Sequence, residues 1–152
     1  MAHSTLVVAS SEDADRIGAA MDFDGCEWPH FHCGNLDAGI LGQVFRGSAD
    51  VPQHVVTAGA IEMVHRHSAA EETVVVHALP RDLSERYARI NEMELDELSA
   101  RWCNDTSYIR LPKSEAFNRR VMGEIARLAR IAIREDRILF VRTSFRNSRG
   151  RQ

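Results

Sequence analysis

Two cysteines and two histidines fall within eight consecutive positions of "CEWPHFHCG": Cys26, His30, His32 and Cys33. A second set follows as His65 and His67 in "MVHRHS", with His77 in "TVVVHAL". Thiolate sulfur and imidazole nitrogen are the ligands of zinc, and three histidines around an open position can lower the pKa of a bound water. His65 and His67 alternate, so on a strand they share a face, and His77 could join them from a facing strand in the right register. The first set is more constrained. In an extended segment His30 and His32 share a face while Cys33 points away, so all four could converge only in a tight loop.

The residues around these sets favour a plainer reading. Trp28, Pro29 and Phe31 interleave the first cluster and suit a loop anchored by aromatics, with the cysteines acting as small hydrophobes. His65-Arg66-His67 suits the exposed end of a hairpin. No His-Glu-x-x-His run gives the metal reading a specific motif. The expectation is therefore no cofactor. The alternative is a metal-dependent enzyme or sensor that holds zinc through His65, His67 and His77, or through Cys26, His30, His32 and Cys33. Cys103 in "RWCND" could be a nucleophile, yet a lone cysteine beside a core tryptophan at a helix end reads first as packing. Gly-x-Gly-x-x-Gly, P-loop and Gly-x-Ser-x-Gly motifs are absent, and the acidic start of the first helix would repel phosphate. Glu71-Glu72 and Asp96-Glu97 fit solvated turns and helix faces better than an acid/base dyad.

The elements that must position these residues follow from periodicity. "STLVVAS" is a short β-branched strand, and Ser10 then caps a helix over about residues 11–21. "FDGCEWPHFHCG" reads as loop. Leu36, Ile40, Leu41, Val44 and Phe45 have helical spacing and stop at Gly47. "AIEMVHRH" and "TVVVHAL" form a hairpin that ends at Pro80. "RDLSERYARI" is a helix, and Asn91 with Glu94 has capping-box spacing, so a separate helix carries Leu95, Leu98 and Trp102. Ser114 opens the longest helix, over about 115–135, with Phe117, Val121, Ile125, Leu128 and Ala132 inward; "ILFVRTSF" is the last strand. This order lacks regular strand-helix alternation. It predicts a single α+β domain over residues 1–145, with a small mixed or antiparallel sheet and helices packed on it, and a basic flexible tail at 146–152.

Composition sets the context. The 152 residues, 44% hydrophobic and 27% charged, suit one globular domain. No apolar run approaches the roughly 20 residues of a membrane helix. An odd count of three cysteines and no basic-then-apolar leader imply free thiols, no secretion signal and a cytoplasmic home. The net charge of −3 conceals a split: residues 1–109 carry 7 Arg against 18 acids, whereas residues 110–152 carry 12 basic against 4 acidic groups. Eighteen of the 19 basic residues are arginine.

In layout, the early strand, "LDAGILGQVFRG", "VVVHALPRDLSERYARINEMELDELSARW", the long helix and "RILFVRTSF" resemble the YfbM-like group of small bacterial proteins over most of the chain. That resemblance carries no catalytic residues across. It implies a binding role of the immunity or accessory type. The sequence reading is thus a non-enzymatic protein-binding module that meets an acidic protein partner through Arg127, Arg130 and Arg134 on the long helix. The competing account of those arginines is local pairing, favourable charge at the helix C-terminus and neutralisation of the chain's own acidic half. A nucleic-acid binder using the same helix ranks third, because the chain is acidic overall and its basic part lacks interleaved aromatics.

Overall fold

The computed structural model describes residues 2–20, 23, 26–34, 41–42, 44–45, 61–104 and 115–146, and structural statements concern these residues. The side chains of residues 2, 103 and 104 lie outside the description. Strand β1 (Ala2–Ala9) leads through a 3-10 turn (Ser11–Asp13) into α1 (Ala14–Ala19). Strand β2 (His30–Gly34) follows, then the hairpin β3 (Glu62–Ser68) and β4 (Glu72–Ala78). Helices α2 (Arg81–Ala88), α3 (Glu92–Asn104) and α4 (Glu115–Arg134) precede β5 (Ile138–Arg146). The strands form one five-stranded sheet in the order β2-β1-β5-β4-β3, antiparallel throughout, so the fold is α+β.

The centre of the sheet is buried on both faces. In β1, Leu6, Val7, Val8 and Ala9 are all 0% exposed. Because side chains alternate across a strand, this unbroken apolar run needs a cover on each side. Leu6 and Val8, with Leu139 and Val141 of β5, join the core under the helices. Val7 and Ala9, with Phe140 and Val76, pack on the other side against Ile17, Phe23 and Trp28.

Local chemistry fixes the helix ends. The Asn91 side-chain oxygen accepts the Glu94 N–H at 2.8 Å, which separates α3 from α2 as the capping spacing predicts. The end of α4 is closed without glycine. Asp136 takes the left-handed conformation (φ 53°), Arg137 N–H reaches Ala132 O at 2.8 Å and Asp136 N–H reaches Ile133 O at 3.3 Å. These two bonds form a Schellman cap, with aspartate in the place glycine usually takes.

Three expectations need correction. The segment read as loop ends in β2, whose His30–Gly34 run is an edge strand paired to β1. The first helix is a 3-10 turn and six α residues rather than a run to residue 21. On α4 the inward stripe begins with Asn118, which is 0% exposed, while Phe117 is 39% exposed. Val121, Ile125, Leu128 and Ala132 are buried as expected. Leu41, Val44 and Phe45 are buried too, but the rest of the expected helix around them, Ser114 and the tail after Arg146 lie outside the described residues. No helix among the described residues is long and apolar enough to cross a membrane.

Candidate functional site

Register decides what the histidines can do together. His65 pairs with Val76, and His67 with Val74, so both project to the α1 side of the sheet. His77 is adjacent to Val76 in β4 and pairs with Met63 and Val141, which puts it on the opposite face. The three histidines are therefore not brought together. A bulge between Met63 and His65 shifts this register, and hairpin patterning alone does not reveal it.

His65 has a specific task. Its Nδ1 lies 2.8 Å from an oxygen of Asp15, and its ring occupies the space where a Cβ on Gly18 would stand, 2.2 Å away. Only glycine admits the ring there, so Gly18, His65 and Asp15 fasten α1 to β3. The same short helix is held from a second direction. Arg142 crosses from β5 and donates to the carbonyl oxygens of Ile17 (3.0 Å), Gly18 (3.4 Å) and Ala20 (2.9 Å) at the C-terminal end of α1, where Ile17 O also accepts the Ala20 N–H. Burial lowers the Arg142 pKa from its usual value, against the opposing charge of Glu72.

The first cluster also divides. Cys33 faces the three-helix core, 3% exposed, and its thiol donates to Ser4 O at 3.4 Å. Burial pushes its pKa up to about 12, so it behaves as a small hydrophobe rather than a ligand or nucleophile. His30 and His32 lie on the α1 side, with ring centroids 5.5 Å apart, and Phe23 packs on both at 5.7 and 6.4 Å. Cys26 Sγ is 3.8 Å from His30 Nδ1, a spacing that invites comparison with a cysteine-histidine catalytic pair. The hydrogen bonding argues otherwise. His30 Nδ1 lies 3.0 Å from Trp28 O; a carbonyl only accepts, so that nitrogen carries the proton and cannot take one from the thiol. Cys26 itself donates to Trp28 O at 3.5 Å. Among the described residues no group of three or more His, Cys, Asp or Glu is placed to hold a metal ion. Cys103 falls near the end of α3.

The arginines of α4 separate by what they touch. Arg130 donates to Ala88 O at 3.1 Å and Ile90 O at 2.8 Å, and so ties α4 to the end of α2. Arg119 reaches Asp96 at 2.6 Å and also Glu92, both on α3; hydrogen bonds to these two carboxylates raise its pKa. Arg127 pairs with Glu124 one turn earlier, through contacts of 3.0 and 2.9 Å. Arg134, 71% exposed, has Glu135 at 3.6 Å. Arg120 is exposed, with its guanidinium 5.9 Å from the centre of the Phe31 ring. Arg120, Arg127 and Arg134 are seven residues apart, so they lie along one outward line of the helix.

Sequence reasoning missed Arg142 and Arg86. Arg86 is 4% exposed, ion-paired with Glu94 of α3, and lies 4.7 Å from the centre of the Phe45 ring. In sequence both look like surface charges on amphipathic elements; only the tertiary fold turns them inward. Comparison with known proteins returns no match among family models, curated proteins or solved structures.

Proposed function

We propose that this protein is a non-enzymatic binding module of the immunity or accessory type, which works inside the cell and engages an acidic protein partner through the outer ridge of α4. The observation that carries this reading is the line of Arg120, Arg127 and Arg134. All three are exposed, and at 1.5 Å per residue they span about 21 Å. Relative to the set read from sequence, Arg120 replaces Arg130, whose guanidinium is spent on α2. Among the described residues Arg127 and Arg134 pair with neighbouring carboxylates, Glu124 and Glu135. Such exposed pairs contribute roughly 0–1 kcal/mol, so a partner's carboxylates can displace them. Arginine suits that exchange because its planar fork binds a carboxylate bidentately.

The thiol and imidazole chemistry supports the same reading. Cys33 is held neutral, and the Cys26–His30 contact is arranged around a carbonyl rather than a substrate. The layout resemblance to the YfbM-like group lends the immunity or accessory character. The test is capture by the full chain from its native source at low salt, compared with a variant carrying Arg120→Gln, Arg127→Gln and Arg134→Gln. Wild type recovers an acidic protein, more weakly as salt rises, and the variant loses it. Recovery of nucleic acid instead, or equal capture by both forms, contradicts the proposal.

A further inference from the structure

A cleft of about 470 Å³ opens where three chain junctions meet: β1 with the 3-10 turn, β4 with α2, and α4 with β5. Its size is that of a small-molecule site. None of the ridge arginines lines it, so what it binds is independent of the reading of α4.

Ser84 is the telling residue. It lines the cleft at only 4% exposure, and its hydroxyl makes none of the hydrogen bonds found among the described residues. Serine inside a helix usually turns back to the carbonyl four residues earlier, as Ser99 does to Leu95 O at 2.7 Å. For Ser84 that carbonyl is Pro80 O, which already accepts the N–H groups of Leu83 and Ser84, each at 3.1 Å. The Ser84 hydroxyl oxygen is not among the enclosed atoms left without a partner, so it opens to the cleft, where water or a ligand meets it. Pro80 also begins α2 without a side-chain cap, so the positive end of that helix dipole, with Asp82 in its first turn, lies at the same junction.

The charges on the wall balance. Arg81 and Arg137 face Glu12 and Asp136, a mixture that would repel a bare anion as much as attract it. Arg81 binds Asp136 at 3.0 Å and Arg137 lies 3.6 Å from Glu135, whereas Glu12 makes no ion pair among the described residues. Leu79 and Ile133 supply an apolar wall. Two features of opposite preference therefore stand beside a greasy surface: the start of a helix with a hydroxyl that no described residue meets, and a carboxylate with no ion pair among the described residues.

We infer that this cleft binds a small zwitterion, an α-amino acid with an aliphatic side chain. Its carboxylate meets the Ser84 hydroxyl and the start of α2, its ammonium group meets Glu12, and its side chain lies against Leu79 and Ile133. Calorimetric titration with L-leucine, 4-methylpentanoate (which lacks the ammonium group) and isoamylamine (which lacks the carboxylate) tests each part. Leucine should saturate one site, with both fragments at least about tenfold weaker, a loss comparable to removing one charge-assisted contact. Ser84→Ala should melt no lower than wild type yet weaken leucine about tenfold, and Glu12→Gln should weaken leucine but not 4-methylpentanoate. The inference is overturned if leucine shows no saturable binding up to about 10 mM, a weak limit for a specific site. It is equally overturned if 4-methylpentanoate binds as tightly as leucine, if Ser84→Ala leaves binding unchanged, or if Ser84→Ala melts lower and so shows that the hydroxyl has a structural partner.

Discussion

The inner and outer sides of α4 are built from the same twenty residues and do opposite work. Inward, Val121, Met122, Ile125, Leu128, Ala129 and Ala132 are at most 1% exposed and close the core against β1 and β5. Outward, Arg120, Arg127 and Arg134 are exposed, with Arg120 reaching toward the Phe31 ring and Arg127 toward Glu124. Between these sides lie arginines that belong to neither: Arg119 bound to α3 and Arg130 bound to α2. The basic C-terminal part of the chain is therefore not one surface. Much of it is mortar between elements, with Arg142 playing the same part for α1 from β5, while Arg120, Arg127 and Arg134 remain exposed along one line of α4.

Substitutions should separate these roles, and the inner side should respond most. Leu128→Ala should cost about 2–5 kcal/mol in chemical denaturation, from lost burial plus the cavity left behind. A loss below about half a kcal/mol would place Leu128 outside the packed face. Arg142→Met should cost about 1.5–3 kcal/mol, because three carbonyl oxygens at the end of α1 lose a charged donor. Hydrogen exchange should then rise first in α1, and uniform protection would break the link between Arg142 and that helix. Asn118 should move the other way. Its amide oxygen and nitrogen are both buried with no hydrogen-bond partner among the described residues, so Asn118→Leu should raise stability by about 1–3 kcal/mol in the same denaturation series. A marked loss would show that the amide is engaged. Arg130→Gln should cost about 1 kcal/mol, the scale of the bonds it gives up to α2, and should leave partner capture intact. Impaired capture at unchanged stability would move Arg130 to the recognition ridge.

Periodicity carried much of the architecture. The hairpin, the break between α2 and α3 at Asn91, the length of α4 and the last strand all follow from local patterns that the tertiary structure obeys. The misses have physical causes. β2 hides because it is a short edge strand directly after Pro29, in a run whose histidines and cysteine give no clear apolar alternation. Phe117 and Asn118 exchange the roles that hydrophobicity assigns them in the first turn of α4, so a stripe counted from Phe117 starts one residue out of phase. The metal alternative turned on register, and a bulge before His65 with His77 one residue beyond Val76 separates by a whole sheet what the sequence sets side by side. Asp136 capping α4 shows the same limit, because no local pattern marks this aspartate as a left-handed stop. The cleft beside Ser84 joins residues from three distant junctions, and no local pattern announces such a place.

The claim that the outer ridge recognises a partner while the rest of the basic segment holds the fold is tested most directly by one paired measurement on the Arg120→Gln, Arg127→Gln, Arg134→Gln protein. Its unfolding free energy and its association rate with the captured acidic partner would be followed across ionic strength. The account predicts stability within about 0.5 kcal/mol of wild type, together with a slower association that has lost most of its salt dependence. An unchanged association rate with the wild-type salt dependence would contradict it, and would leave the three arginines as solvated surface.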